Sequence, residues 1–233
     1  MPNGQPGKNK VYIRGEIVSE FSYSHKAHGK RFYMADICTY RNSGYRDVVP
    51  LMVPEKLVDA GHDYSGHVVS INGQFHSFNS HGGGWRRLEL FVSAHDIELS
   101  GGEPVADRAD NEILLEGVLC KEPVYRKTPL GREITDMLLA VDRPYGKTDY
   151  IPCIVWGWNA KYAARLKVGT AVNIQGRIQS REYVKSLSGE EAETRVAYEV
   201  SVSMLSLRGG AGETPARAIA ALKWPGIVGK GIL

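Results

Sequence analysis

An all-β fold with short helices, arranged as two tandem five-stranded barrels, is what this sequence predicts, and three observations predict it. Short runs of apolar β-formers alternate with polar residues from Lys10 to Leu207, and Gly or Pro clusters separate the runs. The turn residues recur at a fixed distance: Gly15, Tyr23, Gly29, Arg41, Asp47 and Pro50 stand 102 residues before Gly117, Tyr125, Gly131, Arg143, Asp149 and Pro152. Gly66, Val69, Ile71 and Gly73 return 103 residues on, and Val92 and Leu99 return 108 on. So long a register with so few indels marks an internal duplication. Each copy holds five strand runs and room for one short helix, which are the proportions of an OB barrel.

In chain order, 1–9 is a polar leader and 10–100 the first barrel, the divergent one. Its strands are expected over Lys10–Val18, Arg31–Tyr40, Asp47–Val53, His67–Phe75 and Arg87–Ser93, with a bulge or sharp bend at Gly15. Tyr23 to Gly29 reads as a turn, and Pro50 suits an edge or bulge because it donates no hydrogen bond. Pro54 to Ala60 has a proline start and a Gly61 stop, which predicts two helical turns. A linker follows at 101–110, and the second barrel occupies 111–208. There the Ala-rich Asn159 to Leu166 predicts a helix capped by Asn159, and acidic Leu187 to Glu193 a hairpin tip. Residues 209–233 read as a flexible tail, with a short helix at Thr214 to Leu222.

Charge and motifs exclude more than they assign. The net charge is +3, and the whole excess lies beyond residue 104, where 18 Lys/Arg face 15 Asp/Glu. A polyanion partner is therefore admitted, with the second copy as its better host. Cys38, Cys120 and Cys153 fall in strand runs without metal-ligand spacing and read as buried thiols. All seven histidines lie in the first copy at scattered positions, so no metal site is expected, and only that half gains charge toward pH 6. Hydrolase, zinc, phosphate-loop and dinucleotide motifs are missing, and Asp136, Asp142 and Asp149 sit on separate runs. The expectation is no enzyme and no cofactor. No signal peptide or membrane-length apolar run is read, so the expected location is the cytoplasm.

The second copy resembles the bacterial single-stranded DNA-binding protein family from about Asn111 to Leu207. The likeness rests on Gly117, Pro123, Tyr125-Arg126, Thr128-Pro129, Gly131, Ala140-Val141, Ile151 to Gly157, Ala160, Leu166, Gly169 and Gly176 to Tyr183. It implies a tandem-OB member whose barrel-face aromatics stack on bases, and by position these are Tyr145, Tyr150, Trp156 and Tyr183. Stacking holds a strand without reading sequence, since every base has a π-face. Arg126, Lys127, Arg132, Arg143, Arg177 and Arg181 are placed to neutralise phosphates along the same path. Trp158 and Tyr162 are expected to pack the barrel bottom. Ser43, Val48, Pro54 and Ser80 stand at the corresponding first-copy positions, so the stacking set is missing there. Weaker first-barrel candidates are Tyr40, Arg41, Tyr45, Arg46, Trp85 and Arg86.

The resemblance implies sequence-tolerant coating of single-stranded DNA in replication, recombination or repair, at the bacterial nucleoid. Four barrels are usual in that family, which implies a homodimer here. Replication or repair proteins are possible partners, although the family's acidic, aromatic tip has no counterpart, Glu213 being the tail's only acid. The alternatives are a primosome-type protein–protein adaptor and an RNA-binding OB protein. Residues 105–208 alone are expected to retain most of the binding.

Overall fold

The computed structural model describes residues 9–82, 85–99, 110–186 and 192–208. The leader up to residue 8, the linker at 100–109, the hairpin tip at 187–191 and the tail from 209, with its expected helix, lie outside them. In the first copy the strands are β1 (Asn9–Ile17), β2 (Ser22–Ala27), β3 (Lys30–Tyr40), β4 (Arg46–Pro54), β5 (Val68–Gly82) and β6 (Trp85–Leu99). The second copy has β7 (Asn111–Leu119), β8 (Val124–Lys127), β9 (Glu133–Arg143), β10 (Lys147–Trp156), helix α1 (Gly157–Ala163), β11 (Ala171–Ser186) and β12 (Ala192–Leu207).

Each copy closes on itself. Strand β1 pairs with β3 and β5, β3 with β4, β5 with β6, and β4 with β6 in a short parallel bridge. The same circuit runs β7–β9–β10–β12–β11–β7 in the second copy. Closure leaves the odd residues of β10 inside, so Ile151, Cys153 and Val155 are buried while Tyr150 and Pro152 face out. Ile13, Ile37, Leu51, Ile71 and Phe75 fill one barrel, and Ile113, Leu139, Ile151 and Ile174 the other. Full burial of each contributes about 1.5–3 kcal/mol.

Several local expectations are revised. β1 carries no bulge at Gly15: it runs in regular register, and a Cβ there would stand 2.2 Å from the Cys38 carbonyl oxygen across the closure. The shifts occur instead at Asn72/Gly73 and Gln175/Gly176, repeated in the two barrels. Tyr23 to Gly29 is mostly strand, since β2 pairs with β3, as β8 pairs with β9. Pro54 to Ala60 makes turns rather than a helix, with Leu57 and Val58 packed on the core. Helix α1 starts two residues before Asn159, which is buried inside it, and Trp156 takes the N-cap position. Cys120 lies one residue beyond β7.

The barrels join through their first strands. β1 and β7 pair antiparallel, with Lys10 opposite Leu114, Val11 opposite Ile113 and Tyr12 opposite Glu112. Val11 and Ile113 are each other's counterparts in the repeat, so the pairing runs about an approximate two-fold axis. Two buried carboxylates then fasten the seams. Asp47 is held by Arg41 through two 2.6 Å hydrogen bonds, and accepts the Ser180 backbone N–H of the other barrel at 2.8 Å. Its counterpart Asp149 accepts the Ser77 N–H of the first barrel at 2.8 Å, pairs with Arg143 at 3.2 Å, and meets His76 Nδ1 at 2.8 Å. Among the described residues no helix is long and apolar enough to cross a membrane.

Candidate nucleic-acid interface

Strand alternation decides which side chains of the second barrel reach its outer face. On β10, Tyr150, Pro152, Ile154 and Trp156 alternate with the buried odd residues, so both candidate rings point away from the core. Tyr150 is 40% exposed, whereas Trp156 is half-buried against its neighbours. On β11, Arg177, Arg181 and Tyr183 alternate with the buried Ile178 and Ser180 and share the outward side. Tyr145 sits at the tip of the β9–β10 turn, fully exposed, at φ 63° and ψ 32°. That left-handed conformation costs a non-glycine residue about 1 kcal/mol, and such strain gathers at functional sites. The structure therefore turns Tyr150, Trp156 and Tyr183 outward from the barrel and puts Tyr145 at the tip of the β9–β10 turn.

The cations divide into three groups. Lys127 is exposed, and neither it nor the half-buried Arg132 makes an ion pair among the described residues. Arg126 lies on the face beside Trp156, two strands across, and Asp136 holds it at 2.6 Å. That hydrogen bond pushes the guanidinium pKa further up. Arg181 stands 3.9 Å from Glu199 and 5.8 Å from the Tyr183 ring centroid. Arg143 and Arg177, both partly exposed, are drawn to the seams between the barrels. Arg143 pairs with the buried Asp149, and Arg177 reaches toward Asp47 at 4.0 Å, so both spend charge on seam carboxylates.

The first-barrel candidates fare differently again. Arg41 is buried, stacked 4.4 Å over Tyr45 and clamped on Asp47, which removes it from any phosphate path. Tyr40 is half-buried with Arg46 5.8 Å above its ring. Trp85 and Arg86 belong to β6, but their side chains lie outside the described residues. The first barrel carries other outward rings. His25 stacks on Phe32 with centroids 5.0 Å apart, and Phe78 is 58% exposed.

Trp158 does not pack the barrel bottom. Helix α1 buries Asn159, Ala160 and Ala163, which turns Trp158 to solvent, 85% exposed with Lys161 5.4 Å over its ring. Tyr162 packs against the core, as expected. Arg195, opposite Tyr183 across the β11–β12 hairpin, is a further cation that the sequence reading did not name, and Glu193 holds it at 2.6 Å as Asp136 holds Arg126.

An acid lies within this basic face. Glu199 is buried on the outward side of β12, taking a 2.7 Å hydrogen bond from Gln179. Burial pushes its pKa up, against the opposing pull of Gln179 and Arg181. A raised carboxyl pKa favours the folded state most below the ordinary glutamate value, and that contribution fades as pH rises through the raised value. On the same sign, protonation removes a negative charge from the strand path as pH falls. Glu199→Gln is expected to tighten oligo-dT binding about fivefold at neutral pH, as suits a charge worth about 1 kcal/mol near the surface. The gap between variant and wild type should close in titrations at falling pH, and a constant gap would exclude Glu199 as its source.

The closed circuit of five strands, found twice, defines a tandem OB-fold protein. A solved structure of the wild-type single-stranded DNA binding protein from Thermus aquaticus has the same architecture, with a TM-score of 0.68. That match covers 91% of this chain and 100% of that one, at 19% identity. Residues 110–207 match the model of the single-strand binding protein family. The single-stranded DNA-binding protein of Halalkalibacterium halodurans is 36% identical over 106 residues, 42% of this chain and 62% of that protein. Single-stranded DNA-binding protein 3 of Listeria innocua is 33% identical over 109 residues, 44% of this chain and 68% of that protein. This chain belongs to the single-strand binding protein family. It spans just under two thirds of the first relatives it matches, 62% of the H. halodurans protein and 64% of that from Bacillus cereus.

Proposed function

We propose that the chain binds single-stranded DNA without regard to sequence, and coats and protects it in replication, recombination or repair. The observation that carries this is the outer face of the second barrel, where Tyr150, Trp156 and Tyr183 stand among Arg126, Arg181 and Arg195. Rings supply stacking at about 1–3 kcal/mol per base, and the guanidinium groups follow the backbone. Tyr145, Lys127 and Arg132 extend the path at its loop ends. Residues 10–100 and 111–208 act as the two domains, joined by 101–110 and followed by the tail. The acting form is a homodimer with four barrels, in the bacterial cytoplasm at the nucleoid, where replication or repair proteins are its partners. No step in this activity needs a cofactor or a catalytic residue.

Titration of oligo-dT across a salt series is the test. Five cations on the path, at about 0.7 counterions per phosphate contact, give an expected log–log slope of about −3.5. Saturable tryptophan quenching by dT, and none by duplex, supports the assignment. Preference for rU over dT would turn it to RNA, and no response to any oligonucleotide would leave a protein adaptor.

A further inference from the structure

We propose that Phe78 of the first barrel and Tyr150 of the second form one two-ring step across the seam, on which unpaired bases stack as a strand passes between barrels. The inference rests on the function proposed above and adds to its site a residue from the other domain. Its basis is the fastening at Asp149. Tyr150 donates its backbone N–H to Ser77 Oγ at 2.7 Å, while Ser77 donates its own to Asp149 at 2.8 Å. His76 secures the same carboxylate at 2.8 Å. Residues 76–77 of β5 are thereby locked to 149–150 of β10, and the next side chain along β5 is Phe78.

Both rings are open. Phe78 is 58% and Tyr150 40% exposed, and neither has a ring or cation partner among the described residues. At 58% exposure Phe78 leaves more than half of its surface open to a planar ligand. The opposite seam repeats the clamp without the rings. There Val48 N–H meets Ser180 Oγ at 3.2 Å and Ser180 N–H meets Asp47, but the counterparts of Tyr150 and Phe78 are Val48 and Arg181. One seam is therefore built for bases, and the other offers a guanidinium for phosphate.

The test is equilibrium binding of dT oligomers to the intact chain, using lengths of about 8 nucleotides, within one barrel's reach, and about 30, spanning both. Phe78→Ala should weaken the long oligomer about tenfold, leave the short one unchanged and keep the salt slope, because stacking releases no counterions. Phe78→Trp should restore binding. With Tyr150→Ala, the double variant should lose less than the product of the single losses, since the rings act together. Wild-type affinity of Phe78→Ala for the long oligomer overturns the seam step. If Tyr150→Ala still weakens binding, that result leaves the proposed function standing. A wild-type chain that binds no dT removes both.

Discussion

Tyr150→Ala combined with Tyr183→Ala is expected to weaken dT binding about a hundredfold while the fold survives. Each ring held on a base is worth about 1–3 kcal/mol, and two lost toward the low end of that range, about 1.4 kcal/mol apiece, give this factor. Stability should hold because Tyr150 is exposed and Tyr183 half-buried, outside the barrel core. The salt slope should stay near the wild-type value, since no cation has been removed. Fluorescence titration and a melting curve on the same sample read both quantities. An unchanged affinity would take the two tyrosines out of the site. A collapse of the melt would instead make them packing residues.

Asp149→Ala is expected to destabilise the chain by about 3–5 kcal/mol, a fall in melting temperature on the order of 10 °C. The carboxylate is fully buried and receives hydrogen bonds from Ser77, His76 and Arg143. Its removal leaves the Arg143 guanidinium and the Ser77 N–H without this acceptor. Asp47→Ala should do the same at the other seam, where Arg41 is almost wholly buried. Urea unfolding of both variants measures the effect, and a loss under about 1 kcal/mol would show that the clamps hold little. The geometry also revises what the sequence led us to expect of the isolated second half. Cut from Ser77, Tyr150 loses the acceptor of its backbone N–H and Asp149 loses a donor. Residues 105–208 alone should therefore bind more weakly than the intact chain.

The repeat made most of the fold legible, because turn glycines and apolar strand positions are set by local geometry and survive divergence. Both five-stranded circuits follow from it. What stayed hidden is instructive in its causes. Strand β2 is almost entirely exposed, so it has no apolar alternation to read. Arg41 and Arg143 looked like phosphate ligands because a basic residue in a turn is usually solvated. Their partners Asp47 and Asp149 lie only six residues away, but burial depends on the other barrel closing over them. On the candidate face the rings were placed by the resemblance alone, and the alternation of β10 and β11 in the structure turns Tyr150, Trp156 and Tyr183 away from the core. Phe78 escaped notice because its ring has no counterpart ring in the second copy, where Arg181 stands. Trp158 was misplaced by shifting α1 two residues, which turns a helical side chain through most of a half-circle.

The pairing of β1 with β7 about Val11 and Ile113 has an implication for how such a molecule can change. When two identical subunits meet on a dyad, each substitution is made twice, and whatever benefits one contact is imposed on its twin. Here both partners are written into a single polypeptide, so the two contacts mutate separately. Histidine and phenylalanine at one border, arginine at the other, show that liberty in use. The pair thereby acquires a direction: its two crossings are chemically unlike, and a polymer laid over it meets them in a defined order.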